Sequence, residues 1–300
     1  MVAAARASVS RARFGAGLSA ARYSLEFVVR DRVLAAASLM LGLLILCAAF
    51  GPLVWTKNPL GLDVGNALAS PSWTHPMGTD SVGRDIFARF NAGASISLTT
   101  GAVVALVGAV FGSLIGIVAG VVGGWIDVVL MRVMDAVLAF PPLILAMAVT
   151  IGLGPGIVTA AIGITLTSVP FYARLLRSEA LRIRSLPFIE AAYALGANRR
   201  RIVLRHVVPH LTATLFIQAA AVFGYAILSL AALGFVGLGA QVPTPEWGAM
   251  ITDGLQYTLT GQWWIGVFPG LGLLLAVTAT SLIADRMRDI LDPRGHYAQL

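Results

Sequence analysis

The chain has 300 residues, of which 58% are hydrophobic and only 12% are charged. A soluble domain of this length carries roughly a quarter charged residues, so the composition excludes an ordinary soluble protein and indicates several membrane spans. The formal net charge is +7, but the basic residues lie between apolar runs and form no surface interleaved with aromatic residues, which excludes nucleic-acid binding.

Residues 1–32 form a basic segment rich in alanine and serine, which we interpret as a cytoplasmic tail. The apolar run at residues 33–55 is too long for the core of a signal peptide, so it predicts a first transmembrane helix. Cys47 is the single cysteine of the chain, which excludes an intramolecular disulfide. We interpret it as a small apolar residue of this span.

Five further uncharged runs follow, one of them interrupted by a single acid. After an outer loop at residues 56–92, residues 93–290 form the predicted transmembrane domain. The runs lie within residues 90–126, 133–153 (which contains Asp135), 157–173, 207–239 and 264–284. Lipid cannot satisfy open backbone groups, so runs without the alternation of barrel strands predict helices. The predicted fold class is an all-α integral membrane protein with about six transmembrane helices.

The basic residues predict the orientation of these spans. Of the 21 Lys and Arg residues, six precede the first span, one lies between the second and third, eight lie between the fourth and fifth, and three follow the sixth. Only Lys57, Arg84 and Arg89 remain for the opposite side. The positive-inside rule therefore predicts that both termini are cytoplasmic, including the tail at residues 291–300, and that the basic loop 174–206 faces the cytoplasm.

Glycines recur at every fourth residue of the second span, which places them on one stripe of a helix. These residues are Gly108, Gly112, Gly116 and Gly120. A stripe without side chains predicts close packing against another helix. A pivot or a pore-lining role is the alternative.

Charged residues lie at two boundaries of the predicted spans. In the outer loop, Asp80, Arg84 and Asp85 either contact another protein on the outer side or fix the start of the second span, while the isolated His75 does not predict a metal site. Asp127, Arg132 and Asp135 lie at the start of the third span. Arg132 reaches Asp135 at a spacing of i,i+3, which predicts a structural ion pair at the cytoplasmic boundary, with a substrate site as the alternative.

The loop between the fourth and fifth spans has the pattern of a short helix followed by a turn. Pro187 suits the first position of a helix, and Glu190 falls in the first turn, where the helix dipole favours an acid. Gly196 can adopt positive φ and end the helix. A second basic segment, Arg199 to Arg205, follows. The pattern predicts a helix-turn-helix element on the cytoplasmic face that docks on another protein.

The sequence contains no Gly-x-x-x-x-Gly-Lys-Ser/Thr phosphate loop, and its only lysine, Lys57, lies on the outer side. This chain therefore predicts no nucleotide site of its own. We also expect no catalytic residue, no bound metal and no cofactor in this chain.

The loop resembles the EAA loop of ABC importer permeases, in which Glu-Ala-Ala is followed at fixed spacing by a glycine and a closing proline. Here these residues are Glu190, Ala191, Ala192, Gly196 and Pro209. The loop departs from the family pattern at its end, where His206 and Val208 replace Ile and Leu, and the histidine is familiar in the peptide-permease branch.

Four further segments resemble the dipeptide, oligopeptide and nickel branch of these permeases, so that the resemblance covers residues 30–294. They are residues 75–85, 123–141, 233–250 and 285–294. The first segment carries the outer-loop signature His75, Gly78, Asp80, Gly83, Arg84 and Asp85. Two residues after Gly93, where this branch usually has an arginine, the chain has Ser95.

The resemblance implies a type I ABC importer permease of the bacterial cytoplasmic membrane. It implies that an ATPase docks on the coupling loop through Glu190, Ala191, Ala192, Gly196, Arg200, Arg201 and Arg205. The implied partners are a second homologous permease, two ABC ATPase subunits that hold ATP and Mg, an extracytoplasmic substrate-binding protein and membrane lipid. Peptides are the expected substrate, with nickel chelates and haem as alternatives.

Two functions of a different class remain open at this point. An ion-coupled secondary transporter would show inverted repeats, broken helices and acids near the middle of a span. A membrane scaffold or sensor would transport nothing and would not couple to an ATPase.

Overall fold

The structure is a computed structural model that describes residues 31–291. Within that range the regular elements are helical, apart from one isolated antiparallel bridge between Thr79 and Asp85. The helices are α1 Arg32–Val54, α2 Ile86–Val122, α3 Gly124–Leu138, α4 Pro142–Leu153, α5 Ile157–Arg184, α6 Pro187–Ala194, α7 Arg199–Ile202, α8 Val208–Phe235, α9 Trp247–Thr258 and α10 Trp264–Leu291. The tails predicted at residues 1–32 and 291–300 lie almost entirely outside the described residues.

Five segments are long and apolar enough to cross a membrane: α1, α2, α5, the continuous stretch from α7 into α8, and α10. The pair α3–α4 makes a sixth if it is taken as one bent span. The predicted all-α integral membrane fold is thus confirmed. The first span begins within one residue of its predicted start, because the Asp31 carboxylate accepts hydrogen bonds from the backbone N–H groups of Val33 and Leu34 at 2.9 and 3.1 Å.

The third span differs from the prediction of one continuous helix over residues 133–153. α3 starts nine residues earlier, at Gly124, and ends at Leu138, and α4 leaves it at an angle of 86°. The break coincides with Pro141 and Pro142. Proline lacks the N–H that would continue the helical ladder and disfavours the helical conformation of the residue before it. The apolar run therefore persists where the helix does not.

The fourth span is longer than its apolar run. The run ends at Ala173, but α5 continues for three more turns to Arg184. The added residues are mainly Arg, Leu, Ala and Glu, which are good helix formers in water as well as in lipid. The first part of the predicted loop 174–206 is therefore a helical extension of α5 and not a loop.

The glycine stripe of α2 packs directly against α5, which confirms the predicted close helix packing. A Cβ atom at Gly112 would lie 2.4 Å from the Tyr172 Cβ and 2.7 Å from the Val169 carbonyl oxygen. A Cβ at Gly116 would lie 2.5 Å from the Ala173 carbonyl oxygen. Side chains at these positions would push the two backbones apart. The stripe thus sets the distance between α2 and α5.

Separate apolar clusters hold the two ends of the helical bundle. The cluster at the outer end packs α2 against α9 and α10 and includes Phe90, Trp247 and Trp264. The cluster at the cytoplasmic end packs the end of α5 against α6 and the start of α8, and includes Ile183 and Ile189. One cluster therefore anchors the segments at the outer end of the bundle, and the other anchors the predicted docking loop at the cytoplasmic end.

The glycine stripe gives a testable difference between two Gly→Ala substitutions. We expect Gly112→Ala to lower the free energy of unfolding by about 1–3 kcal/mol, because the added methyl group meets backbone and Cβ atoms of α5. Gly42→Ala in α1 is the matched control, since nothing lies within 4 Å of its added Cβ. Thermal unfolding in detergent measures both, and equal midpoints would contradict the packing role.

Candidate functional site

The cytoplasmic end of α5 leads into the predicted docking helix after two residues. Pro187 occupies the first turn of α6, as predicted, and the preceding Leu186 is extended. Glu190 lies in the same first turn, where its charge is favourable at the helix N-terminus. The local chemistry of the sequence therefore places α6 where it was expected.

α6 ends in a turn that needs a residue with positive φ. Gly196 has φ of +82°. Its N–H donates to the Tyr193 carbonyl at 2.9 Å, and the Ala197 N–H donates to the Ala192 carbonyl at 3.0 Å. These two bonds are the pair of a Schellman motif, which satisfies the last carbonyls of a helix. The predicted helix end at Gly196 is confirmed.

The chain then returns toward the membrane through α7. The Asn198 side chain accepts a hydrogen bond from the Arg201 N–H at 2.8 Å and caps this helix. A π turn at Val203–Val207 joins α7 to α8. We call residues 187–205 the docking element.

The inner side of the docking element is apolar and fully buried. Ile189 of α6 is 0% exposed and Ile202 of α7 is 2% exposed. Both pack in one cluster with Leu176 and Ile183 of α5 and with Leu211 of α8. Neither isoleucine was predicted from the sequence, because each stands next to another apolar residue, Phe188 or Val203, and the sequence alone does not show which of the two is buried. Ile189 and Ile202 fix the docking element to the bundle.

The outer side of the docking element carries the residues predicted from the sequence to contact a partner. Glu190, Ala191, Arg200, Arg201 and Arg205 are exposed, and Ala192 is half-buried. One residue was missed. Leu195 is 89% exposed, although an apolar residue just before a helix-ending glycine would normally be assigned to the core. The outer side therefore combines one acid, small residues, an exposed leucine and a basic segment.

The outer-loop signature folds into a network of buried charges. Asp80 accepts from the Arg84 Nε at 2.6 Å and lies 3.7 Å from the Arg89 Nε. All three side chains are almost completely buried. Burial also raises the pKa of nearby Asp253 in α9, an effect that Arg89 and Arg84 oppose. The network joins the outer loop to the first turn of α2.

Asp85 connects the same loop to the segment that follows α1. Its carboxylate caps α2 by accepting from the Ala88 N–H at 2.9 Å. It also lies 2.9 Å from the His75 Nδ1 and 3.3 Å from the Lys57 Nζ. Of the two interpretations left open above, this geometry favours fixing the start of the second span. Gly78 and Gly83, the remaining signature residues, occupy turns of this loop with positive φ.

The short helix α9 closes the outer end of the bundle. The Glu246 carboxylate caps it by accepting from the Gly248 and Ala249 N–H groups at 3.0 Å, and it also accepts from the Ser97 hydroxyl at 3.1 Å. The buried Trp247 donates its indole N–H to the Phe90 carbonyl at 3.2 Å. These bonds tie α9 to α2.

The ion pair predicted between Arg132 and Asp135 is wrong. Asp135 pairs with Arg174 of α5, and Asp127 pairs with Arg177 of the same helix. The i,i+3 spacing within α3 allowed a local pair, but the sequence could not reveal that α5 continues alongside α3 with two arginines one turn apart. The two pairs join α3 to α5.

Comparisons with known proteins agree on the class of this chain. The family model described as binding-protein-dependent transport system inner membrane component matches residues 112–296. The probable D,D-dipeptide transport system permease protein DdpC of Escherichia coli (strain K12) is 40% identical over 259 residues, which cover 86% of this chain and 87% of that protein. The dipeptide transport system permease protein DppC of Alkalihalophilus pseudofirmus is 41% identical and covers 83% and 82%.

Two further similarities concern another relative and a solved fold. The glutathione transport system permease protein GsiD of Escherichia coli O6:K15:H31 is 40% identical over 88% of both chains. A solved structure of the MetNI methionine ABC transporter in inward-facing conformations shares the fold, with a TM-score of 0.53 and 22% identity over 67% of this chain and 95% of that one. The chain therefore belongs to the family of binding-protein-dependent transport system inner membrane components, and it is a multi-pass permease subunit of the ABC importer type in the cytoplasmic membrane.

Proposed function

We propose that this chain forms half of the translocation path of an ATP-driven importer of di- and oligopeptides and that it works by alternating access. The observation that carries the proposal is the docking element, a capped helix with a buried apolar side and an exposed mixed side on the cytoplasmic end of α5. A helix so anchored can transmit force to the bundle as one body. Its exposed side has the size and chemistry to be held by a partner.

The proposed complex contains a second, related permease, two ATPase subunits that bind ATP and Mg, and an extracytoplasmic binding protein. One ATPase would dock on residues 187–205 of this chain. The chain itself carries no phosphate loop, and Lys57 is its only lysine. Transmission requires that the ATPase hold the docking element differently in its open and closed states, since equal docking in both would shift no equilibrium.

Peptides are the proposed substrate because of the relatives at 40–41% identity. Their names assign them to transport of a D,D-dipeptide, a dipeptide and glutathione. These names favour peptides over nickel chelates and haem.

An ion-coupled transporter is the alternative from a different class. The broken pair α3–α4 is a feature that such a transporter would share. However, Asp127 and Asp135 are each paired with an arginine of α5 and are not unpaired acids. Membership of a binding-protein-dependent family also favours the ATP-driven mechanism.

Charge reversal at the docking element tests the contact with the ATPase. We expect Glu190→Lys to reduce peptide uptake at least about tenfold, a loss of roughly 1.4 kcal/mol in coupling, because the exposed side chain would meet the ATPase with the wrong charge. Glu179→Lys on α5, outside the docking element, is the control. Uptake, membrane level and copurified ATPase are measured together. Normal uptake and normal ATPase retention in Glu190→Lys would contradict the docking role.

The turn at Gly196 allows a test that separates backbone conformation from side-chain size. Nothing lies within 4 Å of a Cβ built there, so a substitution meets only the cost of positive φ. Asparagine enters this region readily, whereas a β-branched residue does not. We expect Gly196→Val to abolish ATP-dependent uptake and Gly196→Asn to retain most of it. Equal uptake in the two variants would show that the helix end plays no part in coupling.

A further inference from the structure

α3 is weakly attached to the core of the bundle along its own length. Of its fifteen described residues, only Met134 is buried. Gly123, which precedes α3, and Gly124, its first residue, have φ of +69° and +62°, and it ends at the break before Pro142. Glycine in this conformation and proline at a helix break are both positions where a segment can change direction. α3 therefore lies between two positions at which the chain can change direction.

Two ion pairs connect α3 to α5. Arg177 grips Asp127 with two hydrogen bonds, from Nε to Oδ1 at 2.5 Å and from Nη2 to Oδ2 at 2.6 Å. Arg174, one turn earlier on α5, bonds to Asp135 at 2.5 Å. A paired guanidinium and carboxylate in this two-bond geometry fixes orientation as well as distance. We call these two contacts the α3–α5 ion pairs.

The backbone of Arg177 is itself held on the glycine stripe. A Cβ at Gly116 would lie 3.1 Å from the Arg177 nitrogen, and a Cβ at Gly120 would lie 3.0 Å from its carbonyl oxygen. Seven residues later, Arg184 donates to the Val121 carbonyl at the end of α2 at 3.3 Å. The docking element begins three residues after Arg184. The α3–α5 ion pairs thus lie on the part of α5 that connects directly to the docking element.

We propose that the α3–α5 ion pairs make α3 follow α5, so that movement of the docking element reaches the bent segment α3–α4. If the pairs were absent, α5 could move without α3, because the chain could change direction at Gly123 and Gly124 and at the break before Pro142. Asp127, Arg177, Asp135 and Arg174 are therefore positioning residues for coupling, and they contact neither nucleotide nor substrate. This inference rests on the proposed function, because it requires that an ATPase move the docking element.

The test compares transport with ATP hydrolysis in the complete complex, reconstituted with its ATPases, second permease and binding protein. The readout is the amount of radiolabelled alanyl-alanine dipeptide transported per ATP hydrolysed. A loss of stability would lower transport and ATP hydrolysis together. A loss of coupling would lower transport while ATP hydrolysis continues, so that the ratio of transport to hydrolysis falls. We expect Asp127→Asn and Arg177→Gln each to lower this ratio by about 2- to 30-fold, the range for mutations within a coupling network.

Two further variants make the result specific to the pair. The exchange Asp127→Arg with Arg177→Asp restores an ion pair with reversed polarity, and we expect it to recover most of the lost ratio. Glu179→Gln is the matched control, since it removes the Glu179–Arg182 pair, which joins two residues of α5 and no other helix. We expect that control to keep the wild-type ratio. Asp135→Asn, at the more exposed pair, replaces Asp127→Asn if that variant does not fold.

The possible outcomes separate this inference from the proposed function. A wild-type ratio in Asp127→Asn, Arg177→Gln and Asp135→Asn would overturn the inference, while ATP-driven uptake by the same complexes would leave the proposed function intact. A lowered ratio that the exchange does not recover would also overturn it, since the residues would then not act as a pair. A wild-type complex that hydrolyses ATP without peptide uptake, or that binds no ATPase, would instead contradict the proposed function.

Discussion

The close approach of α2 and α5 along the glycine stripe is the constraint on which the cytoplasmic half of the molecule depends. Because Gly112 and Gly116 have no side chain, atoms of α5 lie within 3 Å of the positions that their Cβ atoms would occupy. In lipid, where burial of apolar surface gives no net drive between helices, such packing is a main source of association. With α5 placed in this way, its extension to Arg184 carries the docking element to a defined position.

Local contacts fix the docking element to the bundle. Ile189 and Ile202 bury its inner side, and the turn at Gly196 satisfies the end of α6. The outer side is exposed, and in the proposed function it meets the ATPase. In the coupling proposed above, the α3–α5 ion pairs would join α3 to α5 and so to the docking element. These contacts are charged, whereas those of the docking element itself are buried and apolar.

Much of this arrangement could be predicted from the sequence where the governing chemistry is local. Pro187 at the start of α6 and Gly196 at its end act within a few residues, so their predicted roles agree with the structure. The glycine stripe also follows from a simple period. The positions of the spans followed from hydrophobicity, but the bend before Pro142 did not, because apolar runs report the membrane and not the continuity of the helix.

The remaining errors arose where distant parts of the chain meet. Asp135 had an arginine at i,i+3, but its partner, Arg174, is 39 residues away. Leu195 was not selected, since an exposed leucine is visible only when the fold has assigned its neighbours to the core. The outer-loop charges were left with two roles because the sequence does not reveal that Asp80 and Arg84 are buried. Long-range packing decided each of these cases.

Uptake of a labelled dipeptide into proteoliposomes that contain the complete complex tests the central claim most directly. ATP is enclosed in the lumen with the ATPase subunits facing inward, and the binding protein is added outside. The account predicts uptake that requires both ATP and the binding protein and that is indifferent to a proton or sodium gradient. Uptake driven by such a gradient in the absence of ATP would contradict it.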